Sequence, residues 1–269
     1  MVTRLLQRIL VLNDGSPHVQ RALGYAGELA TAAKASVATL NSEATHGHAS
    51  KVLLDAIDQD KPDLVVLTPH LDRRGRHAVF DGAAETMVAT GLAPVLLLPS
   101  DQQYSARPLA GQNVLVLLDG SSLAESALPV AVELAGVLKG VLTLFKVVTL
   151  YSVPYAVPTE LMTVRGLDVQ LAYDARFDQK EAEAYLRMVT QHLATQAPHV
   201  TVRTQVQVGD LIEQIVASQS ASITGLIVMA THTRPRVAEW LRGSTVQDVL
   251  RVTRCPLVLV HPTDANRAD

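Results

Sequence analysis

The chain carries a near-copy of itself, and this repeat limits its fold more than any other feature. Arg8-Ile-Leu-Val-Leu-Asn-Asp14-Gly-Ser16 is echoed by Asn113-Val-Leu-Val-Leu-Leu-Asp119-Gly-Ser121. Later, Ala93-Pro94-Val-Leu-Leu-Leu98 is echoed by Cys255-Pro256-Leu-Val-Leu-Val260. Spacing keeps the blocks in register from both sides. Lys34 follows Asp14 by 20 residues, as Lys139 follows Asp119; Gly47 precedes Pro94 by 47, as Gly209 precedes Pro256. Only the middle differs. Asp14 to Pro94 takes 80 residues and Asp119 to Pro256 takes 137, so the first copy is 57 residues shorter, with the loss between about Leu40 and Gly47.

Each copy alternates strand and helix signals. In the second, Val114–Leu118 is a short apolar run suited to a strand buried on both faces. Ser122-Leu-Ala-Glu125 reads as a capping box opening a helix to about Leu138, within which Pro129 forces a local adjustment. A strand at Val141–Val148 leads to a long loop, Thr149–Arg176, and then a helix, Asp178–Gln196, with Ala182, Tyr185, Leu186 and Val189 on its apolar side. A strand at Val200–Val208, a helix at Asp210–Ser218 and a strand at Gly225–Met229 follow. Gly243-Ser244 introduces a helix with Val246, Val249 and Leu250 on one face, and Leu257–Val260 is the last strand. The first copy begins a helix at Pro17 with Ser16 as its cap. It then passes from its second strand almost directly to a helix at Gly47–Asp58. The fold class is therefore α/β: two Rossmann-like doubly wound parallel-sheet domains, the first lacking about one helix and one strand. We expect a trimmed domain at 1–99, a polar linker at 100–112, a complete domain at 113–263 and a tail at 264–269.

Composition narrows the function. With 23 basic and 26 acidic residues the net charge is −3, which argues against duplex DNA held by a general basic surface. Aromatics make up only 4%, too few for a base-stacking platform. The single cysteine, Cys255, excludes an internal disulfide, a Cys-rich zinc site and an iron–sulfur cluster, and reads as a buried structural thiol. The longest apolar region, Ala127–Leu150, is broken by Glu133, Lys139 and Lys146, so no membrane span is expected. The N-terminus has no secretory leader pattern, and a cytoplasmic location is expected.

In open parallel sheets ligands bind at the carboxyl ends of the strands. Three stretches of the second copy reach that edge: Asp119-Gly120-Ser121, Val147-Val148, and Ala230-Thr231-His232-Thr233-Arg234-Pro235-Arg236 running on to Gly243-Ser244-Thr245. With these residues in place, nearly all of the chain resembles a tandem universal stress protein. Nucleotide-binding members of that family carry Gly-x2-Gly-x9-Gly-(Ser/Thr) after strand four, and a strand-one Asp and a strand-two Val contact the adenosine. The resemblance sets Asp119 and Val147 in those last two roles. The family's first two glycines become Ala230 and Thr233, while Gly243-Ser244 is retained. A Cβ at Ala230 crowds such a loop, and the branched Thr233 resists a left-handed backbone. Gly243, Ser244 and Thr245 still offer amides, hydroxyls and a helix N-terminus, and Arg234, Arg236 and Arg242 add positive charge suited to phosphate. The resemblance thus implies ATP or another adenine nucleotide, with magnesium only if ATP binds.

The first copy departs further. Thr68-Pro69-His70-Leu71 and Asp81-Gly82-Ala83 replace the loop; Pro69 lacks an amide proton and Asp81 repels phosphate. Asp14 reads there as turn chemistry with Gly15. His70 and His232 mark a shared fold position. His46-Gly-His48 has too few ligands for zinc, and the Arg73–His77 cluster reads as a solvated loop. No catalytic triad, nucleophile elbow or Gly-x4-Gly-Lys loop is present.

Three readings stay open. One is a non-catalytic stress-response module that binds an adenine nucleotide, with 149–176 as a lid. Another is a nucleotide-independent interaction protein whose two domains pair through their last strands, Val95–Leu98 with Leu257–Val260. Such a chain could still form a homodimer or engage a further protein. The last is a weak ATPase using the same edge. No nucleic-acid or membrane partner is expected.

Overall fold

The computed structural model describes residues 6–13, 15, 18–41, 49–68, 70–71, 78–79, 90–99, 108–149, 165–221, 224–231, 245–253 and 255–262. The first half runs β1 (Arg8–Asn13), α1 (Val19–Ala33), β2 (Ser36–Asn41), α2 (Ala49–Asp60) and β3 (Leu64–Leu67). A two-stranded hairpin, β4 (His70–Leu71) with β5 (Ala78–Val79), and β6 (Val95–Leu97) complete it. The second half runs β7 (Asn113–Leu117), α3 (Ser122–Glu125), α4 (Leu128–Leu138), β8 (Val141–Val148) and α5 (Arg165–Gln196). It continues through β9 (Thr201–Val208), α6 (Leu211–Ala221), β10 (Thr224–Ala230), α7 (Thr245–Val252) and β11 (Leu257–Val260).

Nine strands form one sheet in the order β2-β1-β3-β6-β11-β10-β7-β8-β9. Neighbours pair parallel except β6 and β11, which pair antiparallel with Leu257 opposite Leu97 and Leu259 opposite Val95. Alternation along each strand divides the core into two. Ile9 and Val11 face α1, α4 and α5 with Leu29, Leu134 and Leu186, whereas Leu10 and Leu12 face the side of Ile57, Ile215 and Val249 from α2, α6 and α7. This is the parallel α/β solution: strands apolar on both faces, covered by helices above and below. Each core draws residues from both halves.

Matching sequence positions adopt matching geometry. Lys34 and Lys139 end α1 and α4 in the left-handed conformation, with φ of 56° and 53°. Beyond each, Ala35 and Gly140 donate their amides to Ala30 and Ala135, closing the same C-terminal motif. The halves differ at their outer edges. Leu142 and Leu144 of β8 are buried, since β9 flanks the strand and α5 covers it. At the equivalent place β2 is the sheet edge, and Val37 is exposed.

Several local expectations need correction. The N-cap of α3 is Ser121, not Ser122, and its hydroxyl accepts from the Ala124 amide. The expected single helix to Leu138 divides into α3 and α4, because Pro129 sits in the first turn of α4, where its missing N–H costs nothing. Helix α1 begins at Val19 rather than Pro17, with His18 at its N-cap. The expected loop at 149–176 is helical from Arg165 onward, so α5 is 32 residues long. The end of the expected polar linker is packed, with Leu109 and Gln112 both buried.

Candidate functional site

In the second half β7 lies between β10 and β8, and the chain leaves it toward opposite faces of the sheet: α4 on one side, α6 and α7 on the other. Such a reversal opens a crevice at the carboxyl ends of the strands. Asp119-Gly120-Ser121 emerges from β7 there, Ala230 ends β10 and Thr231 follows it.

The turn after β7 is built on Asp119. Its Oδ1 accepts from the Ser121 amide (2.8 Å) and the Ser121 hydroxyl (2.6 Å), and Ser121 Oγ accepts from Ala124 N (3.1 Å), which starts α3. Gly120 has φ +97°, a backbone that resists a side chain. The Asp119 residue is exposed, and its own amide adds a further bond that favours the charged carboxylate. Lys146 Nζ donates to the Asp119 carbonyl and lies 5.4 Å from the centre of the Tyr185 ring. The Tyr185 hydroxyl in turn donates to Glu125 Oε1 (2.9 Å). Burial pushes the Asp119 carboxyl up, but the Ser121 bonds and the Lys146 charge outweigh it and hold the group below the ordinary value of 3.8. Burial, then the Glu125 acceptor, pushes the Tyr185 phenol well above its usual range.

Strand β8 runs past the end of β7. Their last pair is Leu117 with Phe145, closed by Leu118 N to Phe145 O (2.9 Å). Beyond it, Lys146, Val147 and Val148 pair only with β9. Pleating sends Lys146 to the α5 face and Val147 to the opposite core, so the crevice has a cationic wall and an apolar one. Thr231 is buried and its amide donates to Val260 O (2.8 Å), so that amide is committed to the sheet. Ala230 is half-buried opposite Val260, and Thr245 is the exposed first residue of α7. The expected contacts Thr233, Arg234, Arg236, Gly243 and Ser244 lie outside the described residues. So do Arg242, His232, Asp14, Pro69, Asp81, the two histidines at 46 and 48, and the Arg73–His77 cluster.

The first half builds its turn differently. Gly15, at φ +74°, donates its amide to Asn13 Oδ1 (3.1 Å), and Asn13 Nδ2 donates to Asn41 Oδ1 (2.8 Å). Asn41 occupies the position that Lys146 holds in the second half. Sequence reasoning missed Lys146, Glu125 and Tyr185 as site residues. The one available signal was a lone charge inside the apolar run Leu142-Thr-Leu-Phe-Lys-Val-Val148. Among the described residues no group of three or more His, Cys, Asp or Glu is placed to hold a metal ion, and no helix is long and apolar enough to cross a membrane.

Over residues 111–261, more than half of the chain, the sequence matches the universal stress protein family. In structure the chain is similar to a universal stress protein from Archaeoglobus fulgidus DSM 4304, with a TM-score of 0.61 at 14% identity, covering 97% of this chain and 99% of that one. It is also similar to a functionally unknown protein from Pseudomonas aeruginosa PAO1, with a TM-score of 0.55 at 17% identity, covering 98% of this chain and 85% of that one. At these identities the likeness bears on the fold. No curated protein matches the sequence.

Proposed function

Because the chain belongs to the universal stress protein family, we propose that it is a non-catalytic stress-response module that takes an adenine nucleotide at the carboxyl edge of its second half. The observation that carries this reading is the Asp119 turn: a carboxylate held ionised, with Oδ1 bonded to Ser121, on an exposed turn where the group can accept from a ligand donor. A ribose hydroxyl supplies that donor. Val147, on the apolar wall beside it, suits the base. The residues therefore fit the adenosine end of the ligand. For the phosphate end, the committed Thr231 amide leaves the contacts to Gly243, Ser244, Thr245 and the arginines at 234 and 236. Magnesium enters only with ATP. A bound nucleotide regulates by favouring one conformation over another, and its location in the cell is read as cytoplasmic.

Calorimetry with ATP and AMP, with and without magnesium, on ligand-stripped protein tests this. The expected result is one site per chain, abolished by Gly243→Asp and weakened about tenfold or more by Asp119→Asn. Asparagine keeps an acceptor for Ser121 but places an amide donor where Oδ2 stood. Absence of binding up to millimolar ligand overturns the reading.

A second reading is favoured by the antiparallel β6–β11 pair. Here residues 1–99 are a trimmed universal-stress-like domain that serves as a built-in partner for residues 113–263. The chain then presents a surface to another protein, or to a second copy of itself, without nucleotide. A stable, cooperatively unfolding chain that binds no nucleotide is the outcome this reading expects.

A further inference from the structure

The geometry points to Lys146 as a positioning residue of this site, one that locks the Asp119-Gly120-Ser121 turn through the Asp119 carbonyl and the face of Tyr185. The inference rests on the reading of that turn as the ligand's adenosine end.

Strand β7 leaves the β8 ladder at Leu117, and the Leu118 amide makes the last backbone bond to β8. The Asp119 carbonyl therefore lies beyond the sheet's own partners, on an exposed turn where water or a side chain can bond it. Lys146 supplies a charged donor. A lysine side chain is long and flexible, and a single contact seldom fixes it. Here the ammonium also rests over the Tyr185 ring, and Glu125 ties down the Tyr185 hydroxyl. Three elements are thus linked in series behind one carbonyl: β8 bonds it through Lys146, α5 backs the ammonium with Tyr185, and α3 holds Tyr185 through Glu125. Glu125 and Ser121 belong to the segment whose start the turn sets, so the arrangement closes on itself. Next to Gly120, which lacks a Cβ to restrain its backbone, this lock keeps Asp119 Oδ1 on Ser121.

The first half provides an internal comparison. Where the second half has Lys146, it has Asn41, which bonds Asn13. At this position the cation belongs to the half with the candidate site. Facing Asp119 among the described residues are Lys146 from β8 and Tyr185 from α5, and Tyr185 in turn faces Glu125 from α3. Lys146 is the one cation among them, and it favours the ionised carboxylate.

The test is a carbon-13 carboxyl NMR titration of Asp119 in the full chain without nucleotide. It compares the wild type with Lys146→Met, Lys146→Arg and Tyr185→Leu, with thermal unfolding followed in parallel. The titration midpoint is expected to rise in Lys146→Met, to return toward wild type in Lys146→Arg, and to rise less in Tyr185→Leu. The sign follows from the charge: without the cation, Asp119 takes up its proton at higher pH. Nucleotide affinity at neutral pH is expected to fall about fivefold in Lys146→Met, as for one lost hydrogen bond. The acid limit of binding is expected to move to higher pH.

An Asp119 midpoint unmoved in a folded Lys146→Met chain overturns the proposal, as does an arginine variant no better than methionine. Should Lys146→Met fail to fold, Tyr185→Leu carries the test, and an unmoved midpoint there has the same force. The titration needs no ligand. A chain that binds no nucleotide but shows the expected shifts therefore removes the nucleotide reading and leaves the lock standing.

Discussion

At the scale of single residues, Gln112 explains two glycines that motif reading leaves unremarked. Its side chain is buried, and Nε2 donates to the Pro108 carbonyl (2.8 Å). A Cβ at Gly140 would run into the Gln112 carbonyl oxygen, and one at Gly225 into the Gln112 side chain. Neither glycine has a positive φ; each is small because of a close approach. The first half solves the same join with charge. Asp63, at the place of Gly225, accepts the amides of Gln7 (2.8 Å) and Arg8 (2.9 Å) through Oδ2. Gly140→Ala should cost about 3 kcal/mol, since backbone must move. Gly225→Ala should cost a similar amount, since the Gln112 Cβ that it meets is itself fixed to the backbone. Urea denaturation of the two variants checks both, and a loss under about 1 kcal/mol in either would refute the account.

At the scale of elements, the corresponding helices of the two halves, α1 and α4, stop on a lysine held left-handed. A non-glycine residue there costs about 1–2 kcal/mol, and glycine removes that cost while losing more chain entropy on folding. Lys34→Gly and Lys139→Gly should therefore each stabilise the chain by about 0.5–1 kcal/mol. Both should show a higher denaturation midpoint with an unchanged slope. A loss of stability in either would mean that the lysine side chain contributes more than its backbone conformation costs. The equal spacing of the two lysines from their Asp-Gly-Ser turns was legible in the sequence; their conformation was not. The extension of α5 to Arg165 escaped because Pro154 and Pro158 upstream read as loop, and no cap signal marked where the helix resumes. The start of α3 was off by one residue because Ser121 and Ser122 are chemically equivalent caps. Only Asp119, by binding the Ser121 hydroxyl, selects between them.

At the scale of the molecule, one sheet runs from β2 to β9, and its two cores draw on both halves. The junction is β6 against β11, flanked by Cys255. That thiol is buried and its pKa is pushed up to about 12 by burial, so at neutral pH it is protonated and shielded. It makes a single native probe of the junction. Alkylation of Cys255 should be slow in buffer and should accelerate with urea in step with the loss of helical circular dichroism. Labelling that runs ahead of that loss would show the junction opening on its own, with the halves unfolding separately.

The order of residues alone carried the alternation of strands and helices, the shorter first half and the candidate turn at Asp119. These depend on local signals: runs of Val, Leu and Ile for buried strands, and Asp-Gly-Ser for a turn. Tertiary structure alone decided the rest. Lys146, Tyr185 and Glu125 lie on three separate elements, and no spacing along the chain foretells that an ammonium, a ring and a carboxylate will meet behind one carbonyl. In the same way Thr231 belongs to the stretch expected at the ligand edge, and only the arrival of β11 beside it commits its amide to the sheet. Hydrogen bonds and charges act across a few ångströms of space, and folding, not sequence separation, sets which groups come within that range.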